Sequence, residues 1–328
     1  MNIDSAYIKK PFNDQNDSPQ EFIAAGICCF IISLFDNLGL IDKILNNGFL
    51  TKEDLNTYPN RLVLTSALIT LEKNGIISIA RNNYFLTSFG NKVLDNRGSI
   101  GLIYGGYRHI LANQMKFALC EPTLINENID WELVANASIH FGGKTIDPIV
   151  IDFIKSLNVK GLVCDLGCGA ATRLKKICEL TNSKGVGIEL SKDAVQIANN
   201  NLSNNSDIQI KQGNITEIND IFEEVELLMQ FFVMHDITPT EKCLSILNSY
   251  LKNFPNLKYF LYCDIVAPSN QLNTQLPGCD YIHSLIGISL RTYEETTQMF
   301  ESSGFEVAKE IRIPDLPNTI LWILKPSV

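Results

Sequence analysis

From residue 151 to the end of the chain, short apolar runs alternate with longer stretches whose apolar positions recur at helical spacing. This alternation predicts an α/β domain built on a doubly wound, largely parallel sheet. The runs predicted as strands are 162–165, 185–190, 207–211, 226–232, 258–264, 305–312 and 319–325. A segment with two prolines separates the last two runs, so we predict that they pair as an antiparallel hairpin. Ligands of such a sheet bind at the carboxyl ends of its strands.

Residues 21–98 carry a different pattern, that of short helices followed by a small hairpin. The apolar run from Phe22 to Phe35 is shorter than the roughly 20 residues that cross a bilayer, so it predicts a buried helix. The helix-spaced stretch 61–74 is followed by two short runs around a turn-like tip at 81–83, which is a winged-helix pattern. Because the helix that would read DNA has few cations, a dimer interface is the better use of this mostly helical module.

These patterns divide the chain into four segments. The polar segment 1–20 is expected to be a flexible N-terminus, and it shows no signal-peptide pattern. The segment 21–98 is the predicted winged-helix domain, 99–150 is a helical connector, and 151–328 is the ligand-binding α/β domain.

Composition and charge narrow the classes of partner. The chain has 328 residues, of which 45% are hydrophobic and 19% charged, and this is enough for two packed domains. The net charge of −9 argues against a nucleic acid held by electrostatics. The sequence contains no basic amphipathic helix of the kind that binds to a membrane surface. Nine cysteines without zinc-type spacing predict reduced, mostly buried thiols in a cytoplasmic protein.

The most informative motif follows the first predicted strand of the α/β domain. Asp165 is followed by Gly167 and Gly169 and then by a helical stretch. Two glycines allow the backbone to approach a ligand closely at a helix N-terminus. Glu189 ends the next strand, where its carboxylate can accept hydrogen bonds from ribose hydroxyls.

Two nucleotide cofactors fit this unit, and the residues of the loop distinguish them. A dinucleotide site prefers a third glycine, and Thr172 stands at that position. The carboxylate of Asp165 would repel a pyrophosphate but would suit a ligand that carries an ammonium and a sulfonium, such as S-adenosylmethionine (SAM). The pair Asn214-Ile215 after the third strand strengthens this interpretation. A nicotinamide-dependent reductase would also need a hydride-transfer site, which we do not find in the sequence.

At these residues the chain resembles the class I SAM-dependent methyltransferases, which have a Rossmann-like sheet. It is most similar to the small-molecule O-methyltransferases that carry an N-terminal winged-helix dimerisation domain, and the similarity extends from about residue 20 to the end. The resemblance implies a homodimer whose connector covers the substrate pocket. It also implies a SAM site, whose expected residues are Asp165, Gly167, Gly169, Glu189, Leu190, Asn214, Ile215 and Phe231.

The same resemblance assigns chemistry to the fourth strand end. His235 and Asp236 match the His-Asp pair of these O-methyltransferases, in which the histidine removes a proton from a hydroxyl group. An imidazole suits this task because its pKa lies near neutrality. Asp264, at the end of the fifth strand, matches the acid that orients the histidine.

His283 departs from the ordinary O-methyltransferase pattern, which is apolar at this place. Two histidines and a carboxylate in one cleft suggest a facial triad for a non-haem metal with open positions for substrate. The pattern is similar to a smaller branch, the iron-dependent C-methyltransferases of phenylpyruvate and related α-keto acids. For that branch the resemblance implies that His235, Asp236 and His283 bind iron or another divalent metal.

Three functions therefore stay open from the sequence. The first is metal-assisted C-methylation of an α-keto acid in specialised metabolism, with Arg108 as a partner for the substrate carboxylate. The second is metal-free O-methylation with His235 as the general base. The third and most remote is a winged-helix regulator that senses SAM, which would need a basic recognition face.

Overall fold

The computed structural model describes residues 18–120, 128–157, 159–203, 205–267, 278–314, 316 and 318–327. Most of the predicted flexible segment 1–20 therefore lies outside the described residues. The chain divides into two compact units, Met1–Gly105 and Gly106–Val328. The four-segment division predicted from the sequence, with its connector at 99–150, stays a prediction.

The first unit is mostly helical, with one two-stranded sheet. Its helices are α1 (Pro19–Asn37), α2 (Leu40–Asn47), α3 (Lys52–Leu55), α4 (Arg61–Lys73), α5 (Ser88–Leu94) and α6 (Arg97–Ile100). Its strands are β1 (Ile77–Ala80) and β2 (Asn83–Leu86). Thr51 caps α3 through a reciprocal capping box with Asp54, as the local sequence predicts.

The hairpin turn between β1 and β2 is formed by two residues. Arg81 and Asn82 have positive φ angles of 50° and 66°, and Ala80 pairs with Asn83. Positive φ at both turn residues matches the twist of antiparallel strands. The tip predicted at 81–83 is therefore one residue shorter, because Asn83 already belongs to β2.

The prediction of a buried helix at the N-terminal apolar run is wrong for one face of α1. Cys28, Ile32 and Phe35 are buried in the core of the first unit. The opposite face is apolar and exposed over Phe22, Ile23, Ile27, Phe30 and Leu34. By length and composition α1 could also cross a membrane, although such a helix by itself is weak evidence of a span.

The second unit contains the α/β sheet. Its helices are α7 (Arg108–Ala112), α8 (Gln114–Ala118), α9 (Trp131–Thr145), α10 (Asp147–Lys155), α11 (Thr172–Thr181), α12 (Lys192–Asn201), α13 (Thr240–Asn253), α14 (Cys279–Leu285) and α15 (Tyr293–Ser302). Its strands are β3 (Leu162–Leu166), β4 (Gly185–Glu189), β5 (Ile208–Gln212), β6 (Val225–Phe231), β7 (Tyr259–Ile265), β8 (Phe305–Arg312) and β9 (Thr319–Pro326). All seven predicted strands are present, and no strand end shifts by more than one residue.

The sheet order is β5-β4-β3-β6-β7-β9-β8. Strands β3 to β7 pair in parallel, and β9 lies antiparallel between β7 and β8, so the predicted terminal hairpin is confirmed. The chain winds outward from β3 in one direction and from β6 in the other. The carboxyl ends of β3 and β6 therefore form the switch point, where doubly wound sheets bind their ligands.

Two apolar layers cover the faces of this sheet. One layer includes buried residues of α10, α11 and α12, and the other includes buried residues of α13 and α15. Trp322 of β9 lies within the second layer, where its ring packs against Tyr262 and Phe300. Strands buried on both faces explain why the parallel part of the sheet reads as continuous apolar runs.

Candidate active site

The glycine loop after β3 is shaped by a close contact from the segment that follows β6. Gly167 has a φ of 77°, and a Cβ atom there would lie 2.5 Å from Cγ2 of Val233. Gly169 also has a positive φ, 53°, but a Cβ atom there would meet no atom within 4 Å. The first glycine is therefore required by packing, and the second leaves free space above the loop.

Glu189 binds the loop from the end of β4. One carboxylate oxygen accepts a hydrogen bond from Gly169 N at 2.9 Å, and the other accepts from Ser191 N at 2.9 Å. Each oxygen has a second lone pair that remains available to a hydroxyl group. The carboxylate predicted to bind ribose is thus held in place by backbone groups.

Asp165 is buried at the base of this loop. Burial raises its pKa to about 7, and the nearby Glu189 carboxylate adds to the rise while the Arg173 guanidinium opposes it. Burial penalises the ionised carboxylate because the charge loses its hydration. A cationic ligand at the loop would restore the ionised form.

The other residues predicted to bind SAM differ in their surroundings. Asn214 follows β5 and accepts a hydrogen bond from Thr216 N at 3.0 Å, and Ile215 is buried. Leu190 is 65% exposed. Phe231 is buried, with the Arg173 guanidinium 3.8 Å from its ring centroid. Among these three apolar residues, Leu190 is exposed to solvent, whereas Ile215 and Phe231 are packed in the protein interior.

His235 lies in a single 3₁₀ turn, Met234–Asp236, that follows β6. Its Nδ1 is 2.5 Å from Oδ1 of Asp264, and its backbone N–H donates to Oδ2 of the same carboxylate at 3.0 Å. Since a carboxylate only accepts, Nδ1 carries the proton of this bond. Nε2 therefore points away from Asp264, and it lies 3.3 Å from Oδ1 of Asp236.

Asp264 is a fully hydrogen-bonded carboxylate. Besides its two bonds from His235, it accepts from the Tyr262 hydroxyl at 3.0 Å and from Ile265 N at 3.0 Å. Burial would raise the pKa of Asp264, yet the charge and hydrogen bond of His235, together with the Ile265 N–H, outweigh it and lower the pKa.

His283 approaches the same place from α14. Its Nδ1 donates to the carbonyl oxygen of Cys279 at 2.7 Å, which leaves Nε2 without a proton in the neutral ring. Its ring meets the ring of His235 edge to face, with centroids 5.1 Å apart. Burial lowers the pKa of His283, and the charge of His235 lowers it further.

One ligand atom each from His235, Asp236 and His283 lies within 4.8 Å of the other two. Oδ1 of Asp236 is buried and has no hydrogen-bond partner. The oxygen faces Nε2 of His235 at 3.3 Å without a hydrogen bond, and a cation bound between the two groups would satisfy both. Burial by itself lowers the pKa of His235, but the charges of Asp236 and Asp264 outweigh it and raise the pKa to about 9. The pair of carboxylates makes this a place that favours positive charge.

Arg108 and Tyr107 lie at the start of α7. Nη2 of Arg108 donates to Oδ2 of Asp130 at 2.7 Å, in a pair that is about one-third exposed. Burial raises the pKa of the Tyr107 phenol, and the charges of Asp236 and Cys279 raise it further, so the phenol stands near the cluster. The structure thus gives Arg108 a carboxylate partner within the chain. Its predicted role toward a substrate stays a prediction.

Two residues next to the cluster were missed by the sequence analysis. Tyr262 donates to Asp264, and buried Arg291 donates to the backbone carbonyls of Met234 and Ile237, on either side of His235 and Asp236. Alternation along β7 could have placed Tyr262 on the same face as Asp264. Nothing in the local sequence marks Arg291 as buried.

A glycine loop, a strand-end carboxylate and a polar cluster thus meet at the switch point of the doubly wound sheet. A family described as methyltransferase domain matches residues 157–304. The indolepyruvate C-methyltransferase of Streptomyces griseus is 31% identical over 301 residues, which cover 89% of this chain and 90% of that protein. The chain therefore belongs to the SAM-dependent methyltransferases.

Solved structures agree on the fold. The structure of human N-acetylserotonin methyltransferase in complex with SAM has a TM-score of 0.71 and 14% identity, covering 97% of this chain and 100% of that one. The mitomycin 7-O-methyltransferase has a TM-score of 0.68 and 13% identity, covering 94% and 96%. The protein is a SAM-dependent enzyme that methylates a small molecule.

Proposed function

We propose that this enzyme transfers the methyl group of SAM to the β-carbon of an α-keto acid of the indolepyruvate type, assisted by a divalent metal. The observation that carries the proposal is the cluster of His235, Asp236 and His283, whose ligand atoms lie within 4.8 Å of one another. The similarity to an indolepyruvate C-methyltransferase over most of both chains supports the same chemistry.

The residues present fit a metal ion. Two imidazoles and one carboxylate are the donor set of the facial triad used by non-haem ferrous iron. Each imidazole has its Nδ1 fixed by an acceptor, Asp264 for His235 and the Cys279 carbonyl for His283, as is usual for histidines that bind a metal. Oδ1 of Asp236, which accepts no hydrogen bond, would be the third donor.

The chain's own residues would then divide the work. A bound divalent cation would act as a Lewis acid toward the keto oxygen and so acidify the β-carbon proton, which would pass to solvent; the carbon would then take the methyl group, and S-adenosylhomocysteine would leave. His235 and Asp264 hold the turn that presents Asp236, and the Tyr107 phenol is close enough to feel the Asp236 charge. We propose that Arg108, oriented by Asp130, receives the substrate carboxylate.

SAM is proposed to occupy the neighbouring half of the switch point. Asp165, Gly167 and Gly169 would face its methionine part, and Glu189 would accept from the ribose hydroxyls through its free lone pairs. The adenine is proposed to lie against four residues, namely Leu190, Asn214, Ile215 and Phe231.

The test is to purify the protein without chelator, measure its metals by elemental analysis, and assay methyl transfer to indolepyruvate and phenylpyruvate. We expect bound iron or another divalent metal, loss of turnover with chelator, and recovery with ferrous iron. A metal-free protein whose turnover of keto acids ignores chelator would contradict the metal assignment.

Metal-free O-methylation is the second candidate, because His235 and Asp264 also form a hydrogen-bonded acid–base pair. In that case a phenol should be methylated at the same rate with and without chelator. His283→Ala should then change only the affinity for the substrate.

We further propose that the enzyme is a cytoplasmic homodimer that pairs through the first unit. The exposed apolar stripe of α1 motivates this proposal, because a stripe of that size on a helix of a globular domain is normally covered. We expect Ile27→Glu to convert a dimer into a monomer in light scattering. The matched change Asn46→Glu, at an exposed position on α2, should leave the dimer intact. Binding of the wild-type protein to lipid vesicles would instead assign α1 to a membrane.

A further inference from the structure

Arg291 is a buried cation that the methyl-transfer chemistry does not explain. It precedes the Thr292 cap of α15 and is 7% exposed. Its backbone carbonyl accepts a hydrogen bond from Ala267 N at 2.7 Å, just after β7. The residue is therefore fixed at both its main chain and its side chain, beside the turn that carries His235.

The guanidinium group of Arg291 is directed at backbone oxygens rather than at a carboxylate. Nη1 donates to the carbonyl of Ile237 at 3.0 Å, and Nη2 donates to the carbonyl of Met234. Throughout the part of the chain that the structure describes, no acid forms an ion pair with it. Burying a cation is costly unless its hydrogen bonds are well satisfied, so this arrangement requires a reason.

The two carbonyls bound by Arg291 bracket His235 and Asp236 in the sequence. The carboxylate of Asp264 binds the same turn through the backbone N–H and ring Nδ1 of His235. The turn is thus held by an anion at its N–H and by a cation at its carbonyls. A single 3₁₀ turn has too few internal hydrogen bonds to fix its own conformation.

We propose that Arg291 is a positioning residue that fixes the turn Met234–Ile237, so that Nε2 of His235 and the carboxylate of Asp236 face one common point. The inference rests on the proposed function only where it assigns a metal to that point. A guanidinium suits the task because its planar fork serves two acceptors at once, whereas an ammonium is a compact point charge.

The experiment uses the full-length, metal-free protein labelled with ¹⁵N-histidine. The chain has only four histidines, so the ring N–H signals of His235 and His283 can be assigned with one histidine substitution each. In Arg291→Met we expect the His235 Nδ1–H signal to shift or vanish. The His283 Nδ1–H signal, which reports on the Cys279 carbonyl, should stay and serves as an internal control for folding.

Metal uptake gives the second readout. Cobalt(II) replaces iron as a visible probe, and we expect its affinity to fall about 10- to 100-fold in Arg291→Met, the range found for outer-shell residues. SAM affinity, measured by calorimetry, should stay within about twofold, since its proposed site lies on other loops. The control Thr296→Val removes a buried hydroxyl from α15 and should leave both signals and cobalt affinity unchanged.

Unchanged His235 signal and cobalt affinity in Arg291→Met would overturn the inference. If that variant loses the His283 signal and SAM binding as well, Arg291→Lys decides the matter. It keeps the charge but not the planar fork, so we expect an intermediate His235 shift with the His283 signal retained. A wild-type His235 signal in the lysine variant would show that the bonds of the fork to two carbonyls do not fix the turn, and it would overturn the inference. A wild-type protein without cobalt binding, combined with a His235 signal that depends on Arg291, would refute the metal proposal and support the positioning role.

Discussion

The two halves of the switch point differ in how far the chain satisfies its own polar groups. At the glycine loop, both oxygens of Glu189 accept backbone hydrogen bonds, so the half that we propose as the cofactor half is held in place before any ligand arrives. At the histidine cluster, Oδ1 of Asp236 is buried and accepts no hydrogen bond from the residues that the structure describes, although Nε2 of His235 lies 3.3 Å away. The first half is preorganised by backbone groups, and the second depends on a bound group to complete it.

This difference follows from how each half is assembled. The cofactor half is built from consecutive strand ends, and its main partners are backbone N–H groups whose positions the sheet fixes. The histidine cluster combines side chains from the turn after β6 and from α14, supported by β7, and it places three ionisable groups together. Preorganised backbone sites tolerate an empty state, whereas clustered buried charges favour a counter-ion.

The largest expected effect comes from removing one proposed metal ligand, which should impair the histidine half and leave the cofactor half unchanged. His283→Ala should lower methyl transfer by about 10²- to 10⁴-fold, because a Lewis-acid cation is worth several kcal/mol of barrier. SAM affinity should not change. Steady-state kinetics with metal analysis and calorimetry measure both quantities. The control is His109→Ala, at an exposed histidine on α7. A parallel loss of SAM binding in His283→Ala would show that the halves are not separate.

The next effect tests the cofactor half. Glu189→Ala should weaken SAM binding by about 1.5–3 kcal/mol, since charged hydrogen bonds to ribose and loop are lost together. Metal content should remain at the wild-type level. Calorimetry provides the affinity, and Asp193→Asn on the exposed side of α12 is the matched control. Unchanged SAM affinity would place the ribose elsewhere.

The pH dependence of SAM binding sharpens the same comparison. The pKa of Asp165 is raised to about 7 in the free enzyme, and a cationic ligand would lower it in the complex. Binding should then release a proton below pH 7, so affinity should fall up to about tenfold per pH unit there and level off above. The raised pKa also means that the folded, ligand-free chain holds the Asp165 proton more tightly than the unfolded chain does. Its free energy of unfolding should therefore fall as pH rises from about 4 to 7.

Calorimetric titrations between pH 5.5 and 8.5 (roughly 1.5 pH units on each side of the expected midpoint) test this linkage. Asp165→Asn should bind SAM more weakly at pH 8 and with little pH dependence. A slope that survives in this variant would mean that another group titrates.

The smallest expected effect concerns the support of the histidine cluster. Tyr262→Phe removes one of the four hydrogen bonds to Asp264 and should cost about 1 kcal/mol of stability, with a few-fold loss of metal affinity. Denaturant unfolding and metal titration measure the two effects. Tyr250→Phe, whose hydroxyl accepts a hydrogen bond from Gln230 in the same core, should lower stability without changing metal affinity. If both variants bound the metal equally well, the Tyr262 hydroxyl would have no role in supporting the site.

Most of the fold could be predicted because its signals are local. Seven apolar runs correspond to the seven strands of the large sheet, and the terminal pair forms the expected hairpin. The sequence predicted that α1 is buried, but only one of its faces is. Its apolar residues surround the helix, so periodicity could not tell which of them the first unit buries.

The site was predictable only in part. The sequence singled out His235, Asp236, Asp264 and His283 as candidates, and the structure brings these four side chains together. Their partners Tyr262 and Arg291 were not found, and the contact between Arg108 and Asp130 was not foreseen. Such contacts join residues far apart in the chain, and no spacing rule connects them.

The order of strands and helices along the chain and the SAM-type loop could be predicted from the sequence, since periodicity, glycine conformations and strand-end acids are properties of short segments. The folded chain set which ring nitrogen of each histidine is available, because Asp264 and the Cys279 carbonyl bind the Nδ1 atoms and leave both Nε2 atoms for the cluster. It also decided that Asp236 keeps an unmet acceptor and that Arg291 is buried. Hydrogen-bond satisfaction depends on distance in space, and only the folded chain sets that distance.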